Sequence, residues 1–247
     1  MPGPIPNPTG AMLVIGDEIL SGRTRDSNMH HLAGALNDHG IDLKEVRIVP
    51  DQRAAIIDAV HALSPAYAHV FTSGGIGPTH DDITADSIAA AFGAPIDVRD
   101  DARALLEAHY ARTGGTLNAA RLRMARIPQG AHLIDNPVST APGFSLENVH
   151  VMAGVPAVFQ AMLASLLPTL TGGAPLLSRS HRLDMPEGDI AIPLGQLAAD
   201  FPALSIGSYP FIERGLYGTN IVLRGPDAAQ LDAALERLKT VAKDPTA

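Results

Sequence analysis

The chain has no cysteine, which excludes disulfides, thiolate metal centres and a cysteine nucleophile, and agrees with a reducing compartment. It has no apolar run near the ~20 residues that a membrane-spanning helix needs, and its longest apolar windows are strand-length. The first ten residues, MPGPIPNPTG, lack the basic start and the apolar stretch of a secretory signal. Cytoplasmic residence without a membrane partner is the resulting expectation. Positive charge is also scarce: 18 Lys and Arg stand against 26 Asp and Glu, a formal net charge of -8. A polynucleotide binder usually carries a basic face. Here Arg121, Arg123 and Arg126 make the only dense basic group, so no polynucleotide partner is expected, while a single nucleotide remains compatible. Gly-x-Ser-x-Gly and His-Glu-x-x-His are absent, which removes two common hydrolase mechanisms.

What is present reads as a globular chain: 247 residues, 46% hydrophobic and 18% charged, enough to bury a sizeable core. Residues 1–10, with four prolines and two glycines, read as a flexible lead-in. A strand–helix rhythm follows. Ala11–Ile15 suits a buried strand, and 26–39 has helical spacing ending at Gly40, a natural C-terminal cap. Residues 41–49 alternate like a strand, and Asp51 is placed to cap a helix reaching Leu63. His69–Ser73 is a third strand, 85–92 a helix, and Val149–Met152 a further strand leading into a helix over 155–167. The segments 100–112 and 118–124 look helical within a less regular middle. This alternation predicts an α/β fold of three layers, an open and mostly parallel sheet with helices on both faces. After Gly172-Gly173 the pattern changes to that of a small α+β unit, so the domains expected are 11–171 and 172–247.

The densest chemistry lies in Ser73-Gly74-Gly75-Ile76-Gly77-Pro78-Thr79-His80-Asp81-Asp82-Ile83-Thr84, between an apolar strand and a helix. Glycines let backbone N–H groups approach a ligand closely, and with a helix start they suit a phosphate. Thr79 adds a hydroxyl. Asp81 and Asp82 would repel a phosphate unless a divalent cation bridges them or one is protonated, and Mg²⁺ is the simpler answer. The same residues also describe a tight turn with acidic residues at a helix start. On this loop alone the two readings stand level. The sequence matches neither a Walker A loop nor a G-x-G-x-x-G fingerprint. Position shifts the balance. Gly16-Asp17-Glu18, Pro50-Asp51, the glycine loop and Ala153-Gly154-Val155-Pro156 each follow a strand. If those strands are parallel, all four loops share the sheet edge where open α/β folds bind ligands. Ser21, Gly22 and Asn28 suit closure over a ligand or, equally, a turn and a helix start. Asn136 and Pro142-Gly143-Phe144 sit in a Pro/Gly loop, structural or functional. His30, His31, His61 and His69 lack a ligand spacing and read as surface or packing residues.

These loops, in this order, resemble the molybdopterin-binding (MoaB/Mog-like) family, specifically the N-terminal domain of CinA competence/damage-inducible proteins. The residues carrying the likeness are IGDEILSG at 15–22, Asp26, Asn28, Val49-Pro50-Asp51, SGGIGPTHDDIT at 73–84, Asn118, Ile127-Pro128, Asn136 and APGF at 141–144. The likeness covers about residues 11–170, and EGDIAIPLGQL and LSIGSYPF resemble the small domain that follows in CinA-like proteins. Ala153 stands where relatives usually carry proline, and the chain ends at Ala247, so the C-terminal amidase domain of many CinA proteins is not expected.

The resemblance implies a metal-dependent nucleotide pyrophosphatase acting on ADP-ribose or a related dinucleotide, with a divalent cation, Mg²⁺ foremost, and potassium as a further ion. It also implies an alternative, adenylylation of molybdopterin from Mg-ATP; a third reading, of another class, is a non-catalytic module binding a pterin or nucleotide. Carried over by position, Asp51 and Asp82 become the catalytic and metal-holding carboxylates. Gly16, Asp17, Glu18, Ser21, Gly22, Asn28, Gly74, Gly75, Gly77, Pro78, Thr79, Asp81, Thr84, Asn136, Gly143 and Gly154 become the ligand-contacting set. A homo-oligomer and a small nucleotide or pterin ligand complete the expected partners.

Overall fold

Seven residues from Thr9 to Ile15 form the first strand, and six of them are buried, so apolar side chains face both ways. That pattern belongs to a parallel strand covered on both faces. The computed structural model describes residues 6–242, which divide into two compact units meeting between Gly173 and Ala174. In chain order the first unit runs β1 (Thr9–Ile15), the single turn α1 (Asp17–Leu20), α2 (Asn28–His39), β2 (Asp42–Val49), α3 (Arg53–Leu63), β3 (His69–Ser73) and α4 (Thr84–Ala91). It continues with β4 (Ile96–Val98), α5 (Asp100–Thr113), α6 (Ala119–Leu122), β5 (Arg126–Pro128), β6 (His132–Ile134), β7 (Gly143–Leu146), β8 (Val149–Met152) and α7 (Pro156–Leu166).

Six strands make the main sheet in the order β2-β1-β3-β8-β7-β6. The first four are mutually parallel, and β7 and β6 close one side as an antiparallel hairpin. Ala11, Leu13 and Ile15 of β1 pack with Ile56, Val60 and Leu63 of α3 and Ile88 of α4. Met12 and Val14 face the other way, toward Leu32 and Leu36 of α2 and Phe159 and Leu163 of α7. Alternation along one strand therefore feeds two cores, and the fold is the expected three-layer α/β arrangement.

Some local expectations change. β1 begins at Thr9, so the last two residues of the expected lead-in belong to the sheet; residues 1–5 of that lead-in lie outside the described residues. Asp51 does not cap α3: the N-cap is Gln52, with no side-chain bond. The strands β4 to β7 arise in the segment that showed no period, because each has only three or four residues. Gly143 opens β7, and a Cβ there would lie 2.4 Å from the Val151 carbonyl, so close strand pairing requires glycine.

The second unit is a three-stranded antiparallel sheet, β9 (Leu177–Leu183), β10 (Ser205–Glu213) and β11 (Leu216–Gly225), ordered β10-β11-β9, with helices α8 (Glu187–Asp200) and α9 (Ala228–Val241). Ile190, Leu197, Ile221, Leu223, Leu231 and Leu238 form its core. Asp227 caps α9, accepting the N–H groups of Ala229 and Gln230.

Candidate functional site

The four parallel strands end level: Ile15 pairs with Val49, Val14 with Ser73, and Ser73 with Met152. The four loops that follow them therefore emerge along one edge. From β1 the chain moves outward to β2, then crosses back to β3 on the opposite side of β1. That reversal leaves a crevice beyond the strand ends, the usual ligand position in open α/β sheets.

A cleft of about 480 Å³ occupies the edge. Gly16 and Glu18 line it after β1, Asp51 after β2, Gly74, Gly75, Gly77, Asp81 and Asp82 after β3, and Gly154 after β8, while Asn136 reaches it from the loop before β7. Four carboxylates thus converge, and no Lys, Arg or His side chain lines the cleft among the described residues.

Each carboxylate is held differently. Asp51 accepts the Asp17 backbone N–H at 2.9 Å. Burial pushes its carboxyl above the ordinary aspartate range, and the nearby Asp17, Glu18 and Asp81 charges push in the same direction. Asp82 folds back on its own loop and accepts the Thr79 N–H at 2.8 Å and the Thr79 hydroxyl at 2.5 Å. Glu18 lies over Gly16, where a Cβ would come within 2.7 Å of both carboxylate oxygens. Asp81 stands at the rim with 62% of its side chain exposed. Among the described residues no three His, Asp or Glu side chains form a ready metal cage. Mg²⁺ at phosphate sites is commonly held by one or two carboxylates plus substrate oxygens, and the donors present fit that kind of site.

Several expected contact residues shape the cleft through their contacts with other residues. Gly74 has φ 108°, and a Cβ there would sit 2.2 Å from the Ile15 carbonyl, so only glycine lets the loop cross the end of β1. Thr84 is buried and donates its hydroxyl to the Gly74 carbonyl at 3.0 Å. Asn28, also buried, donates to the Ser73 hydroxyl and the Gly154 carbonyl, both at 2.8 Å, and so ties the end of β3 to the β8 loop. Asn136 lines the cleft while closing its own turn through Ser139 and Ala141. Asp17 contributes its backbone N–H, and Thr79 acts through Asp82. Pro78, Ser21 and Gly22 do not line the cleft, and Gly143 lies within β7.

Sequence reading missed Thr24, Met124, Ser139, Val158 and Met162, all of which line the cleft. Val158 and Met162 are four apart on α7 and share its inward face. Helical spacing marks that face as apolar but does not separate core from cleft floor. Arg123, which donates to the Asp82 carbonyl at 3.2 Å, was visible only as part of a basic group.

Comparison with known proteins agrees with this geometry. Residues 11–172 match the family model described as "Probable molybdopterin binding domain", and residues 175–245 match "FAD synthase, middle domain". The chain is 31% identical to a "Probable FAD synthase" of Caenorhabditis elegans over 94% of its own length and 49% of that protein. It is 39% identical to a "CinA-like protein" of Citrifermentans bemidjiense over 66% of its own length and 40% of that protein. The chain therefore spans half or less of the length of these curated relatives. Among solved structures it is similar to the protein CinA, described as of unknown function, from Thermoplasma acidophilum, with a TM-score of 0.60 and 31% identity over 65% of this chain and 96% of that one. Among the described residues no helix is long and apolar enough to cross a membrane.

Proposed function

Because the chain belongs to the family described as a probable molybdopterin binding domain, we propose that it is a divalent-cation-dependent nucleotide pyrophosphatase acting on ADP-ribose or a related dinucleotide. The observation that carries this reading is Asp51: a partly buried carboxylate with raised proton affinity, oriented by the Asp17 N–H, lining an acidic cleft walled by a glycine loop. A carboxylate of raised pKa is a better general base than an ordinary one. Asp51 takes a proton from water as its oxygen attacks the adenylyl phosphorus. The bond from that phosphorus to the bridging oxygen breaks, and AMP and the second phosphate ester leave. Asp82, locked by Thr79, and Asp51 would hold the cation, which supplies charge neutralisation at the pyrophosphate. The apolar floor of Met124, Val158 and Met162 suits the flat base of a nucleotide or a pterin.

The nematode relative's printed name adds FAD to the dinucleotides worth testing. The family description, which names molybdopterin binding, supports a second reading in which a pterin is retained without turnover; adenylyl transfer to molybdopterin at the same site is the further alternative.

The test is AMP release from ADP-ribose and FAD with Mg²⁺, Mn²⁺ or Co²⁺, with and without potassium, beside an Asp82→Asn variant. Metal-dependent release that is lost in the variant is the expected result. Undiminished turnover by Asp82→Asn would remove Asp82 from the site. No release by the wild type, with AMP transferred to molybdopterin from Mg-ATP, would establish adenylyl transfer instead.

A further inference from the structure

Four carboxylates and no basic side chain line the cleft among the described residues, yet a pyrophosphate needs donors as well as a cation. A small recess of about 20 Å³, room for about one water-sized atom, shares with the cleft the wall made by Gly75, Ile76, Gly77, Asp82 and Met124. Two arginines border this recess, Arg123 and Arg126. Arg126 is already committed: its guanidinium grips Asp86 at 2.5 and 3.4 Å and lies 3.9 Å from Asp97.

Arg123 is not committed in that way. Among the described residues it has no carboxylate at ion-pair distance, and one terminal nitrogen donates to the Asp82 backbone carbonyl at 3.2 Å. Its Nε is buried without any acceptor. A buried guanidinium donor left unpaired is unfavourable, and arginine donors match phosphate oxygens in geometry and charge.

We infer that Arg123 is a phosphate-contacting residue of this site, its Nε–H donating to a non-bridging pyrophosphate oxygen that enters the recess beside the glycine loop. This rests on the reading that the ligand carries a pyrophosphate, but not on hydrolysis. Arg123 joins substrate phosphate to the same loop that carries Asp82, so binding and carboxylate placement are coupled through one side chain.

The experiment is calorimetric titration of wild type, Arg123→Gln and Arg123→Lys with ADP-ribose, ADP and adenosine in the presence of Mg²⁺, with circular dichroism to establish folding. Arg123→Gln weakens ADP-ribose and ADP about 10- to 100-fold and leaves adenosine within about twofold, while Arg123→Lys recovers part of the loss. Unchanged ADP affinity in a folded Arg123→Gln overturns the assignment. So does an equal loss for adenosine, which would make Arg123 a brace for the Asp82 loop, or a wild type that binds neither ADP nor ADP-ribose. Arg123-dependent binding without AMP release would instead remove the hydrolase reading and leave this assignment standing.

Discussion

The two ends of the six-stranded sheet carry opposite kinds of ionisable group. Beyond the carboxyl ends of the strands, Glu18, Asp51, Asp81 and Asp82 border an open cleft. Toward the amino ends, His69 of β3 and His150 of β8 pack with Phe71, ring centroids 5.2 to 6.1 Å apart. His69 Nδ1 lies 3.2 Å from His150 Nε2, and the Ser145 hydroxyl lies 2.8 Å from His150 Nδ1. Burial pushes Asp51 up and His150 down to about 4. The cause is the same and the direction opposite, because burial disfavours whichever form is charged. Burial favours the uncharged form of both histidines, His150 buried and His69 half-buried beside it. The acidic end keeps its groups at a solvent-filled opening. A perturbed pKa marks burial at both ends, and access to a cleft distinguishes the end suited to chemistry.

The sharpest way to break this comparison is Asp51→Asn. AMP release should fall about 10²- to 10⁴-fold, while the thermal midpoint stays level or rises. The sign follows from linkage: the folded-state pKa of Asp51 lies above 3.8, so ionising it as pH rises weakens the fold, and the amide removes that penalty. A clear fall in midpoint would make Asp51 a structural partner of Asp17 rather than a base.

Next in size is Gly74→Ala, which places a Cβ against the Ile15 carbonyl at a φ of 108°. Urea unfolding should show a loss of about 2–4 kcal/mol. Gly34→Ala, inside α2 with open space around it, should instead gain about 0.5–1 kcal/mol.

A further prediction tests the histidine end. His150 has a folded pKa of about 4 against 6.5, so between those values the unfolded chain binds more protons. Its stabilisation is complete above pH 6.5 and is lost as pH falls through the window, by about 2 kcal/mol at pH 5. Urea curves at pH 7 and 5 should show that loss in the wild type and less of it in His150→Phe. Equal losses would move the pH dependence to other groups.

Much of this was legible in residue order. The apolar runs at Ala11–Ile15, His69–Ser73 and Val149–Met152, each followed by Gly, Asp or both, indicated buried parallel strands with polar loops at one edge, since parallel strands need crossover helices and those helices have a readable period. The helix stop at Gly40 was equally plain, for Gly40 adopts the left-handed conformation that ends α2. The short strands β4 to β7 were not, because three or four residues carry no measurable period and their pairing is nonlocal. His69 read as a surface or packing residue by its lack of ligand spacing. Its stacking on His150 depends on two strands meeting 81 positions apart.

The sequence by itself determined the layered α/β order, the chemistry of the loops and the strand after which each carboxylate comes. Those depend on local preferences and on a hydrophobic period that survives in one dimension. Only the tertiary structure decided what each side chain does. Asp51 accepts the Asp17 N–H instead of capping a helix, Asp82 closes on Thr79, and Asn28 ties the end of β3 to the β8 loop. Arg123 comes to rest beside the glycine loop 41 positions away from its bond to Asp82 along the chain. Hydrogen bonds reach about 3 Å, and which groups fall within that reach is set by how the whole sheet and its crossovers pack.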